Sequence, residues 1–111
     1  MEECLLVYMT TPDSATARKI AAVLVRERLA ACANILDAAE SLYWWEGAVQ
    51  QASGSLCILK TTAGGYPALE KRARELHPYD VPCIVALHLT EGHAPFLRWI
   101  ARETGGTSTE T

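Results

Sequence analysis

The chain has no run of basic residues, no apolar stretch near the roughly 20 residues a membrane-crossing helix needs, and no Cys-x-x-Cys pair. Phosphate binding needs clustered Lys and Arg, so the first absence argues against nucleic acid as a partner. The second argues against a helical membrane span. The usual catalytic signatures are missing too. There is no Gly-x-Ser-x-Gly elbow, no glycine-rich phosphate loop, no His-Glu-x-x-His and no dinucleotide fingerprint. No pair of carboxylates stands out for acid/base work. The expectation is therefore a protein that is not an enzyme and uses no organic cofactor. The first residues, Met1-Glu2-Glu3, are acidic where a secretory signal would be basic, which makes the cytoplasm the expected location. The four cysteines, Cys4, Cys32, Cys57 and Cys83, then read as reduced thiols, mostly buried as small hydrophobes, not as a disulfide framework.

What remains is 111 residues, half of them apolar, with a formal net charge of -3. That suits one domain over residues 1–104, with a Gly- and Thr-rich mobile tail at 105–111. Cys4–Thr10 reads as a strand. Asp13 or Ser14 can cap a helix running to residue 30, with Ala17, Ile20, Ala21 and Leu24 as its apolar stripe. Two long extended segments, 31–46 and 48–62, flank a hairpin turn at Glu46-Gly47-Ala48. Unbroken, the first would span about 50 Å, so a bend or bulge is expected near Asp37-Ala38-Ala39. Gly64-Gly65 breaks the pattern before a helix over Pro67–His77. A strand over Val81–Thr90 and a last helix behind Pro95 follow, the latter with Phe96, Trp99 and Ile100 on one face. No internal repeat is visible. The order β-α-β-β-α-β plus one helix is an α+β, ferredoxin-like arrangement.

Ser41-Leu42-Tyr43-Trp44-Trp45-Glu46-Gly47 is the most informative stretch. Neighbouring strand residues point to opposite faces of a sheet, so Trp44 and Trp45 cannot enter one core. A chain this small has little spare core for two opposed indoles. Tyr43, Trp44 and Trp45 are accordingly expected at an interface between copies of the chain. A ligand-stacking role for one ring is the lesser alternative.

The sequence resembles the CutA family of divalent-cation tolerance proteins. The resemblance is carried by Val7-Tyr8-Met9-Thr10-Thr11-Pro12-Asp13, Leu29-Ala30-Ala31-Cys32-Ala33-Asn34-Ile35, the Tyr43-Trp44-Trp45 stretch, Lys60-Thr61-Thr62, His77-Pro78-Tyr79-Asp80-Val81-Pro82 and Phe96-Leu97-Arg98-Trp99-Ile100. These matches cover about residues 5–103. The resemblance implies a ferredoxin-like fold, a tight homotrimer joined through strand edges, and a role in tolerance to copper or other divalent metals. Copper, as Cu(I) or Cu(II), is the ion it favours, with the Cys matching Cys32 a suggested ligand. It also implies two alternatives: a PII-like sensor of a small anionic metabolite in the clefts between subunits, and a trimeric scaffold that docks another protein. Members usually carry Glu or another polar residue where this chain has Cys83, which makes the cleft here less acidic and more thiophilic.

The candidate metal ligands are therefore Cys32, His77 and Cys83, because thiolate suits soft Cu(I) and imidazole suits copper or zinc. Against this, a free Cys is most often a buried hydrophobe. A His at a helix end can equally donate to free carbonyls. Lys60, Tyr79 and Trp45 are the candidates for holding a small anion in the cleft. The competing reading of Lys60 is a strand-end charge reaching for solvent.

Overall fold

The structure is a computed structural model and describes residues 3–105. Its elements are β1 (Cys4–Thr11), α1 (Ser14–Arg26), β2 (Cys32–Trp45), β3 (Ala48–Thr62), α2 (Tyr66–Leu76), β4 (Ile84–Leu89) and α3 (Ala94–Glu103). The four strands form one antiparallel sheet in the order β2-β3-β1-β4. This is the expected ferredoxin-like α+β fold with its additional C-terminal helix.

Alternation along the strands decides which face is covered. Val7 and Met9 of β1 stand directly opposite Leu59 and Cys57 of β3, and all four are fully buried. Against them pack Ala17, Ile20 and Leu24 of α1 with Leu69 and Ala73 of α2. The anticipated α1 stripe is the buried face of that helix. The intervening residues of each strand point away from α1 and α2. There α3 covers one end, burying Ile100, and the Cys4 thiol lies 3.5 Å from the Leu97 carbonyl. The rest of that face stays open, with Val85 and Leu87 of β4 and Leu36 of β2 exposed.

Local chemistry explains most boundaries. The Asp13 carboxylate accepts from the Thr16 amide at 2.7 Å and caps α1, and this bond holds its carboxyl below the ordinary carboxylate range. α1 ends at Arg26, four residues before the expected limit. The Arg28 amide donates to the Val25 carbonyl and the Leu29 amide to the Leu24 carbonyl, with Arg28 left-handed at φ 61°. This is a Schellman ending without the usual glycine, so no residue type announced it. Arg28 is held there by Glu103 of α3 at 3.0 Å, and the Gly105 amide donates to the Arg28 carbonyl. β4 starts at Ile84, not Val81. Pro82 has no amide to give, and pairing resumes only where the Thr10 amide reaches the Cys83 carbonyl. Apart from Gly105, the expected tail lies outside the described residues.

β2 and β3 run past the body as a long ribbon, stretching the molecule to 49 × 26 × 22 Å. The ribbon has the expected bulge. Between Leu36 and Ala39 the register shifts, so Asp37 and Ala38 oppose Ser55 alone, with Ala38 at φ 62°. Asp37 pins the bulge by accepting from the Ala38 amide and the buried Ser55 hydroxyl, at 2.8 and 3.0 Å. Gly54 follows on the opposite strand, where any Cβ would collide with the Thr11 carbonyl. The hairpin turns at Glu46 and Gly47, both with positive φ, as the right-handed twist of a two-residue turn demands.

Candidate ligand cleft

The ribbon, the end of β1 and the loop between α2 and β4 enclose a concave space of about 730 Å³. Tyr8, Thr10 and Thr11 supply the floor, Ser41, Tyr43 and Trp45 the ribbon wall, and Tyr79, Asp80 and Cys83 the loop wall. The bulge puts Tyr43 and Trp45 on the concave side of the ribbon. Trp44 falls on the other side and is 74% exposed. The two adjacent indoles are thus split as alternation requires, and neither is buried within one chain.

Five of the residues singled out in the sequence, in different expected roles, lie in or beside this cleft. Tyr43, Trp45, Tyr79 and Cys83 line it, and Cys83 is exposed. His77 stands just behind the wall, buried at the end of α2. Its Nδ1 accepts from the Tyr79 amide at 3.2 Å, which leaves Nε2 to carry the proton and donate to the Thr10 carbonyl at 2.8 Å. His77 therefore ties the loop to β1 and braces Tyr79, whose ring lies 5.0 Å away and tilted by 48°. It does bond a carbonyl, as a helix-end His can. The carbonyl belongs to a neighbouring strand, which no local pattern reveals.

The other two candidates lie elsewhere. Cys32 begins β2 and pairs with Lys60, five residues along β3 from Ser55, the nearest β3 residue of the cleft. Lys60 does not line the cleft and bonds the Asn34 side chain. Among the described residues, no group of three or more His, Cys, Asp or Glu side chains is placed to hold a metal ion together. Buried Cys57 is an inert thiol, pushed up to about 11 by desolvation. Sequence reasoning missed the Ser and Thr hydroxyls and Tyr8, which belong to strands whose alternation could have placed them but whose neighbours across the cleft it could not.

A ferredoxin-like sheet extended by such a ribbon, with its cleft at the base, defines the class. Residues 5–103 match the family model described as CutA1 divalent ion tolerance protein. The chain is 46% identical to the divalent-cation tolerance protein CutA of Thermus thermophilus, over 95% of this chain and all of that one. A solved structure of that Thermus protein superposes with a TM-score of 0.89. CutA1 from Oryza sativa matches with a TM-score of 0.91 at 36% identity, covering 96% of this chain and 97% of the other. A protein from Archaeoglobus fulgidus named as a periplasmic divalent cation tolerance protein matches with a TM-score of 0.87 at 33% identity, covering 90% and 97%. The chain belongs to the CutA1 divalent ion tolerance family.

Proposed function

We propose that this protein serves copper tolerance without catalysing a reaction, as a cytoplasmic homotrimer that holds the ion where subunits meet. One observation carries the reading: an exposed thiol, Cys83, opens into the cleft of a divalent-cation tolerance protein. A thiolate there suits soft Cu(I). Cys32, on the edge strand β2, joins the site from a neighbouring copy, and His77 joins by giving up one of its ring hydrogen bonds, the Tyr79 amide at Nδ1 or the Thr10 carbonyl at Nε2. Self-association is supported by the apolar surface that one chain leaves open, Trp44, Leu42 and Val81 above all. The cytoplasmic assignment differs from the name of the Archaeoglobus relative and is carried by the sequence reading alone.

Cu(I) titration of the reduced protein against a competing chelator tests the metal reading. Losing one ligand should cost at least what losing an outer-shell partner does, so Cys83→Ser should bind about ten-fold more weakly or worse. A wild-type affinity no better than that of a Cys32→Ser, Cys83→Ser double variant sinks it. Anion sensing has less support, since no Lys, Arg or His lines the described cleft and Lys60 is engaged with Asn34.

A further inference from the structure

Charge in this molecule is divided by layer. Seven of its ten Lys and Arg, but four of its thirteen Asp and Glu, fall in residues 12–29 and 63–78, which hold α1, α2 and their flanking turns. That layer is formally +3 while the whole chain is -3, so the remainder carries -6. From Ala31 to Leu59 there is no Lys or Arg, and Asp37, Glu40 and Glu46 stand on the ribbon. The basic layer draws on two helices far apart in sequence, so no basic run announces it.

Helix geometry gathers this charge on the outer side. Lys19 and Arg26 are two turns apart on α1, about 10 Å along its axis, and opposite the buried stripe of Ala17, Ile20, Ala21 and Leu24. On α2, Lys71 stands midway in sequence between buried Leu69 and Ala73, and so on the opposite side of the helix. All three are exposed and take part in no ion pair among the described residues. The neighbouring glutamates are already engaged. Glu27 and Glu75 hold Arg72 at 3.1 and 3.2 Å, and Glu70 reaches Arg74 at 3.6 Å. This surface is separate from the parts assigned to contact between copies: Trp44 and Leu42 lie on the ribbon, and the open sheet face lies on the far side of the sheet from α1 and α2.

The partner that fits is negative and short. Between the outward bases stand only small residues, Ala15, Ala22 and Ala68, so no bulky apolar group is there to enter a bilayer. A lipid plane or a nucleic-acid duplex extends past the patch and meets the field of the acidic remainder. A short stretch of Asp and Glu meets the basic layer alone. We propose that the outer face of α1 and α2 docks a short acidic segment of a partner protein, its carboxylates set against Lys19, Arg26 and Lys71.

The test is fluorescence anisotropy of a short dye-labelled oligoglutamate peptide titrated with the intact protein at low ionic strength. EDTA in every sample keeps the result independent of the copper reading. Binding should be saturable and should weaken steeply as salt is added. A Lys19→Glu, Arg26→Glu double variant, checked for folding by circular dichroism, should bind about ten-fold more weakly or worse. Arg98→Glu with Arg102→Glu makes the same change in net charge on α3 and should stay within about two-fold of the wild type. Equal losses in the two double variants would mean that net charge alone is read, and would overturn the proposal. The absence of saturable peptide binding would do the same. Tighter binding to phosphatidylserine vesicles or to duplex DNA than to the peptide would assign the face to another partner and overturn it. So would altered sedimentation of the Lys19→Glu, Arg26→Glu protein, which would make this face a contact between copies.

Discussion

Met9 and Trp44 lie in strands of one sheet, yet Met9 is wholly buried and Trp44 keeps 74% of its surface exposed. The body and the ribbon differ in what lies above the strands, not in how the strands pair. Hydrogen bonding continues from Cys32–Lys60 to Trp45–Ala48 with one bulge. α1 and α2 end over the body, so beyond Gly54 the large apolar residues of the ribbon, Leu42, Tyr43, Trp44 and Trp45, stay exposed. The body buries its apolar side chains by itself, whereas the ribbon carries apolar side chains that its own chain leaves exposed.

Three substitutions would sharpen or break this contrast. Leu24→Ala strikes the body, opening a cavity under α1 where Leu24 is fully buried. It should cost about 2–5 kcal/mol in denaturant unfolding. A loss no larger than that of an exposed apolar residue would show the body core to be less continuous than described. Trp44→Ser strikes the ribbon. Assembly should weaken by about 2 kcal/mol or more, seen as dissociation in sedimentation on dilution, while far-ultraviolet circular dichroism keeps its shape. Unchanged sedimentation would mean that Trp44 is not what another copy covers.

Asp37→Ala strikes the joint and should have the smallest effect. It strands the buried Ser55 hydroxyl, at about 1–3 kcal/mol, and loosens the ribbon's angle to the body. Hydrogen exchange should quicken at 38–54 before it quickens in β1. Uniform quickening would make body and ribbon one cooperative unit.

The residue pattern alone determined the element order, the buried stripe of α1, the Glu46-Gly47 turn and the bulge near Ala38. Each depends on neighbours within a turn or two of chain, where side-chain period and backbone preference act directly. It also determined that Trp44 and Trp45 part company across the ribbon. Tertiary structure alone decided that α1 stops at Arg26, because the left-handed Arg28 is held by Glu103, 75 residues away. It alone decided that His77 braces Tyr79 against β1, with both ring nitrogens engaged. It also separated Cys32 and Lys60 from Cys83, since distance along a strand is fixed by register and register depends on the partner strand. The cleft draws its walls from three parts of the chain that meet only once the sheet has formed.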